Sequence, residues 1–599
     1  MSVSVLYRLR PLAVAAHVFD VTLTVSQPAK KGQVFRLPVW IPGSYMIREF
    51  ARHIVTIKAQ AGGKPVALCK LDKQSWQADP VEGPLVLNYQ VYAYDLSVRG
   101  AYLDQQRGFF NGTSVFLSVD GYEQSPCDVV IERPRGKDFH DWRLATSLTS
   151  RDDAKDLEAQ HGFGRYRAQS YDELIDHPVE MGRFEQVEFK ACGVPHRFVV
   201  SGRFNADLKR LARDVKRICE WHIKLFGQPA PFDRYVFMLF VGAEIYGGLE
   251  HRSSTALMAE RADLPARDVE GISDGYLRLL GLISHEYFHS WNVKRIKPAA
   301  FVPYDLTQEN YTRLLWAFEG VTSYYDDLAL LRCGLIDAPR YLGLLAQTFS
   351  MVERANGRNK QTLEDSSFDA WIKYYRQDEN SPNSQVSYYT KGALVALALD
   401  LLIRRQSHQS ASLDDVMRAL WTRWRQTQNG VAEDEWEHLA GEVTGLNLQP
   451  FFESALRSTE VLPLVELLAS QGIKLEFTAA QNGADRGGFY ADAQPVSIAL
   501  GFGAKGASDA LGVKLVHVHD GGAAQTAGLS AGDVVVALDG LRVSQPDQLS
   551  ACLCAGRNVA VHAFRRDELM TFDLTPAPAS ADTCRLSPLG GAPGAWPMV

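Results

Sequence analysis

The stretch GLISHEYFHSWNVKRIKP, Gly281 to Pro298, holds two histidines four residues apart with a glutamate directly after the first. Around it, DGYLRLLGLISHEYFHSW sets Leu277, Leu280, Ile283 and Tyr287, with Ser290 or Trp291, at helical spacing, which predicts an α-helix through the motif. On that helix His285 and His289 sit one turn apart on one face, so both imidazoles can reach a single cation. Glu286 then projects beside them toward a bound water, the arrangement of HExxH zinc hydrolases. Catalytic zinc takes three protein ligands and keeps a fourth position for water, so a third donor is required.

A third histidine six residues past His289, preceded by a glycine, would be one completion, but those positions hold Arg295 and Asn292. The other completion is a glutamate on a later helix. LLWAFEGVTSYYDDLALL supplies Glu319, with Trp316, Phe318, Tyr324 and Leu328 around it. A carboxylate in so apolar a setting is costly unless it is paired or bound to a cation, which favours a ligand's role. Asp326, seven residues on, is a candidate for orienting a ligating histidine. Water activated on zinc, with Glu286 to take its proton, is a nucleophile suited to a peptide carbonyl. The resulting oxyanion needs a donor besides the metal. His251, just after GGLE, and the pair Tyr388 and Tyr389, ahead of the apolar helix in SYYTKGALVALALDLL, are the candidates.

At 599 residues the chain is too long for one core and predicts three or four domains. A net charge of -7 with 46% hydrophobic residues argues against nucleic acid and anionic membrane as partners. No segment approaches the roughly 20 apolar residues of a spanning helix, and no membrane association is expected. Eight scattered cysteines form no CxxC pair and no dense framework, so reduced thiols and a cytoplasmic location are expected.

Alternation of Phe19, Val21, Leu23 and Val25, and of Leu85, Leu87, Tyr89, Val91 and Ala93, predicts half-buried strands and an N-terminal β-sandwich over 1–170. Between them LPVWIPGSYMIREF carries the turn signal Pro42-Gly43. Leu208, Leu211, Val215, Ile218, His222 and Leu225 then share one helical face closed by Gly227, opening a mainly helical catalytic domain over 171–462 with one strand at Arg234–Gly242. Short strands with Gly/Ala turns return over 463–577, and 578–599, rich in Pro, Gly and Ala, is expected as a flexible tail. The fold class is multidomain α+β.

HEYFHSWNVKRIKP followed by WAFEGVTSYYDD, together with VWIPGSYMIREF, resembles the PDZ-containing glycyl aminopeptidases among the gluzincin zinc metallopeptidases, over nearly the whole chain. The resemblance implies a thermolysin-like catalytic domain and one Zn2+ held by His285, His289 and Glu319, with Glu286 as general base. It also implies a counterpart of the Gly-x-Met-Glu-Asn segment in GGLEH, so that Glu250 anchors the substrate's amine and Gly247 and Gly248 meet its backbone. Leu249 for Met and His251 for Asn depart from that pattern. YTKG is similar to the relatives' catalytic-tyrosine segment, with Tyr389 as oxyanion donor and Tyr388 as its rival. The third module resembles a PDZ domain, LGFG at Leu500–Gly503 being similar to its carboxylate-binding loop; it would bind a peptide or make an intramolecular contact.

The expected activity is removal of N-terminal residues, small ones such as Gly or Ala by resemblance, from peptides with a free N-terminus. A carboxylate near the zinc gives that preference a physical cause by pairing with the ammonium. A peptide-binding or chaperone-like protein with a vestigial metal site, and a zinc endopeptidase, are the alternatives. Oligomeric state is not legible in the sequence.

Overall fold

Phe19, Val21, Leu23 and Val25 point inward from the strand Val18–Val25, and Leu85, Leu87, Tyr89 and Val91 from Leu85–Tyr92, all essentially without exposure. The two strands pair antiparallel in register from Val18↔Tyr92 to Val25↔Leu85. They are the middle of an eight-stranded sheet in the computed structural model, which describes residues 4–491, 496–589 and 596–597. The chain divides into two units, 1–310 with 427–430, and 311–426 with 431–599.

In the first unit the inner face of the eight-stranded sheet shares one apolar core with two four-stranded sheets. The strand Val179–Gly182 pairs with Arg107–Phe110, so these N-terminal sheets reach past the boundary expected at 170. A five-stranded sheet follows in the order Phe184–Ala191, Val194–Ser201, Tyr235–Gly242, Ser254–Glu260, Gly247–Glu250, its two central pairings parallel and its outer two antiparallel. The helix Leu208–Phe226 crosses between the parallel strands Val194–Ser201 and Tyr235–Gly242. Asp207 caps it by accepting from the Arg210 amide at 3.0 Å, and Gly227 ends it at φ +85°. The helix Asp274–Phe288 packs against Gly247–Glu250 and Ser254–Glu260.

The second unit begins with helices. A π-helical turn, Trp316–Gly320, runs into Val321–Arg332, and Ala338–Arg354 and Thr390–Gln406 pack against that helix. Toward the C-terminus a sheet ordered Ala504–Ser508, Val513–Val518, Val534–Leu538, Val559–Arg565, Glu568–Leu574 has its own core around Val513, Leu515, Val535 and Val561. The segments flanking it do not join this sheet. Ile473–Thr478 pairs instead with Thr583–Pro588, and Ser350 Oγ on Ala338–Arg354 accepts the Cys584 amide at 2.9 Å.

The stretch expected as a flexible tail is therefore structured where it is described. Cys584, Arg585 and Leu586 have no exposure, and Trp596 is buried with its indole N–H donating to Tyr324 Oη at 3.0 Å. Composition misled here because three large side chains suffice to dock a Pro/Gly-rich segment onto a surface already built. Among the described residues no helix is long and apolar enough to cross a membrane, and all eight cysteines are free.

Candidate metal centre

The helix Asp274–Phe288 starts at Ser273, whose hydroxyl accepts the Tyr276 amide at 3.1 Å, and carries Asp274 in its first turn, where a negative charge suits the helix dipole. Beyond that turn nearly every side chain is buried, so polar contacts fix how the helix is rotated. His222 Nε2 meets Ser284 Oγ, and His196 Nε2 meets Tyr287 Oη, each at 2.9 Å. Held from both sides of the 285–286 step, the helix presents His285 half-buried and Glu286 almost fully buried.

His289 follows as the C-cap residue, still in helical conformation, with its ring centroid 4.6 Å from that of His285 and nearly perpendicular to it. The chain then turns back, and the Asn292 carbonyl lies 2.7 Å from His289 Nδ1. That contact holds the proton on Nδ1 and leaves the Nε2 lone pair for a cation. Asn292, read from the sequence only as the residue that is not glycine, thus acts through its backbone.

Glu250 ends the edge strand Gly247–Glu250 and is 4% exposed. Glu250, Glu286 and His289 each bring a ligand-type atom within 4.8 Å of the others. The structure therefore joins the proposed amine anchor, base and one metal-binding imidazole into one buried cluster. Two carboxylates this close in low dielectric repel, which a divalent cation or an ammonium relieves. A cation, and zinc by its preference for imidazole with carboxylate, suits this donor set.

Two glycines shape the cluster. A Cβ built at Gly248 would lie 2.5 Å from Glu286 Cδ and overlap its Oε1. The clash falls on the side chain of Glu286 and on no backbone atom, so Gly248→Ala is expected to displace the Glu286 carboxylate rather than the strand. An expected result is a fall in kcat of about 10²-fold, the scale of a 1 Å misplacement, at unchanged Tm. Gly247→Ala, whose added carbon meets nothing nearer than 3.8 Å, leaves kcat unchanged. Within the chain itself, nothing crowds a Cβ at Gly247.

The second glycine is Gly43 in WIPGSY, at φ +95°, where a Cβ would lie 2.5 Å from Glu250 Oε2 and 2.6 Å from its Cδ. The N-terminal turn therefore lies directly against the Glu250 carboxylate, a contact the turn signal alone did not reveal. Gly43→Ala is expected to cost about 1 kcal/mol of stability through left-handed strain. Steady-state kinetics on unblocked amino-acyl amides should show a raised KM.

His251, the other candidate donor, is buried beside Asp176. Its Nδ1 lies 3.6 Å from Asp176 Oδ1, and Asp176 binds Lys294 Nζ at 2.7 Å and the Arg252 amide at 2.9 Å. Against burial, which pushes it up, Lys294 and the Arg252 guanidinium, 3.7 Å away, hold the Asp176 carboxyl well below its ordinary range.

In the second unit Glu319 sits in the π-helical turn and is 1% exposed. Gly320 next to it meets Gly392 backbone to backbone; a Cβ on Gly320 would lie 2.5 Å from Gly392 Cα and 2.8 Å from the Tyr388 carbonyl oxygen. This glycine pair brings WAFEG and YYTKG together. Tyr388 is fully buried, its ring 4.8 Å from Tyr374, whereas Tyr389 is half-buried with its hydroxyl 3.3 Å from that of Tyr375. Burial and the Glu319 charge raise the Tyr389 phenol well above its ordinary range, so it keeps its proton at neutral pH. Asp326, further along Val321–Arg332, accepts the Asp327 amide at 2.6 Å.

The sequence matches the M61 peptidase N-terminal domain over residues 6–183 and M61 glycyl aminopeptidase over residues 278–395. Among solved structures, an aminopeptidase N family protein from Idiomarina loihiensis is 41% identical, with a TM-score of 0.93 over 98% of each chain. An M1 zinc metallopeptidase from Deinococcus radiodurans, solved with a Tyr-Ser-Ala substrate, is 15% identical, with a TM-score of 0.47 over 77% of this chain and 94% of that one. No curated protein matches the sequence.

Proposed function

The chain belongs to the M61 glycyl aminopeptidase family and is a metallopeptidase, and from that premise we propose that it is a zinc aminopeptidase removing small N-terminal residues, Gly or Ala, from peptides. The observation that carries the exopeptidase reading is the buried carboxylate of Glu250 in one cluster with Glu286 and His289.

His285, His289 and Glu319 would hold the zinc, a role supported for Glu319 by a carboxylate placed in an apolar turn with almost no exposure. Bound there, zinc supplies Lewis acidity and lowers the pKa of a coordinated water. Glu250 pairs with the substrate's ammonium and so sets the first peptide bond as the one attacked. Glu286, kept in place beside Gly248, takes the proton from the attacking water and passes it to the leaving amine. Tyr389 donates a hydrogen bond from its phenolic O–H, whose proton it retains, to the oxyanion that develops on the attacked carbonyl.

We read the C-terminal sheet as PDZ-like with an intramolecular role. Asn383 Nδ2 donates to the Val518 carbonyl at 2.8 Å, its Oδ1 accepts the Asp520 amide at 3.0 Å, and Lys360 pairs with Asp520 at 2.5 Å. These contacts secure the segment leading into Tyr388 and Tyr389. The free cysteines agree with a cytoplasmic location.

A panel of free and N-acetylated amino-acyl amides tests the reading. Free glycyl and alanyl amides should be hydrolysed, their acetylated forms about 10²-fold more slowly, and a chelator should abolish turnover until Zn2+ is restored. Equal cleavage of acetylated substrates would make the protein an endopeptidase and remove Glu250 from the mechanism.

A further inference from the structure

A cleft of about 540 Å3 lies in the first unit away from the Glu250 cluster, between the strand Arg143–Ala145 on one side and Val194–Ser201 and Tyr235–Gly242 on the other. Its walls are largely apolar, with Leu144, Leu148, Leu157, Tyr166, Phe189 and Val236 among them. Set into that surface are three cations, Lys190, Arg197 and Arg234, against one carboxylate, Glu188.

Among the described residues the two guanidinium groups bond to uncharged oxygen. Arg197 donates to the Thr146 carbonyl at 3.4 Å, and Arg234 donates to the Ser147 carbonyl at 3.0 Å and to Thr149 Oγ1 at 3.3 Å. Neither makes an ion pair among the described residues, and both act electrostatically on Tyr166. Burial pulls the pKa of Arg197 down, and the charges of Arg143 and Arg234 add to this against the opposing pull of Tyr166 and of Glu188, its neighbour on the paired strand. Like charges gathered in a partly buried apolar setting are retained at a cost unless an anion joins them, and the planar fork of arginine fits a carboxylate.

We propose that this cleft binds a small organic carboxylate with an apolar body, the carboxylate on Arg197 and Arg234 and the body on the Leu144, Leu148 and Phe189 surface. The volume falls in the range of small-molecule sites and exceeds what a bare inorganic anion fills. His196, at the back of the cleft, carries the 2.9 Å contact to Tyr287 on the HExxH helix, so the cleft abuts a support of the metal centre without sharing its residues.

Isothermal titration of the full chain with octanoate, octanamide and inorganic phosphate tests this. Octanoate should saturate below about 1 mM and bind about tenfold more tightly than octanamide, the contribution of a charge-assisted pair; phosphate should bind more weakly than octanoate. Arg197→Gln and Arg234→Gln should each cost octanoate about tenfold with far-UV circular dichroism unchanged. Equal binding of octanamide, phosphate binding as tight as octanoate, octanoate affinity unmoved in both variants, or no saturation by about 10 mM would overturn the assignment. Because the probe comparison is made on the unaltered protein, it decides even where a variant fails to fold.

Discussion

Glu286→Gln should lower kcat on glycyl or alanyl amides by about 10²–10⁴-fold while zinc content and Tm stay close to those of the unaltered protein. The amide keeps the shape of the carboxylate, so the space beside Gly248 is filled as before, and what is lost is a group able to take a proton. General-base catalysis alone accounts for about 10²–10⁴-fold. Removing a buried negative charge from beside Glu250 also relieves repulsion, which predicts unchanged or slightly tighter substrate binding. The test is steady-state kinetics with metal analysis on the same preparation. Undiminished hydrolysis in a fully metallated variant would show that Glu286 is not the base.

Much of this site is written locally. Two histidines at i and i+4 on an apolar-striped segment require only helical geometry to become neighbours, and the helix Asp274–Phe288 provides it. The strands Val18–Val25 and Leu85–Tyr92 were legible for the same reason, since alternation states which face is buried. What lay beyond reach depends on partners distant in sequence. That Gly43 lies against the Glu250 carboxylate, or that Ile473–Thr478 pairs with Thr583–Pro588, is set by tertiary packing that no local period encodes. The π-helical turn holding Glu319 was hidden as well, because WAFEGV has an ordinary helical composition. Where it is described, the tail is more ordered than its composition suggested, although Trp596 and Leu586 were visible in it as large apolar side chains needing cover.

Tyr389→Phe should lower kcat by about 10²–10³-fold with KM little changed, the scale of losing one oxyanion donor, whereas Tyr388→Phe should leave kcat within a few-fold and act on stability. The difference follows from how the helix Thr390–Gln406 begins. Ser387 Oγ accepts the amides of both Tyr389 and Thr390 at 3.2 Å, which fixes the entry of the chain. The Gly320–Gly392 contact then draws this helix start onto the turn that carries Glu319. Of the two phenols, Tyr388 is wholly buried against Tyr374, while Tyr389 retains exposure and feels the Glu319 charge. A donor to a developing oxyanion must keep its proton until the transition state and be reachable by substrate. The raised pKa of the Tyr389 phenol meets the first condition, and its half-buried side chain, where Tyr388 has no exposure at all, meets the second. A kcat loss confined to Tyr388→Phe would reverse the assignment. Equal losses in both variants, with a lowered Tm in both, would mean that the tyrosine pair holds the helix start in place and that neither phenol donates.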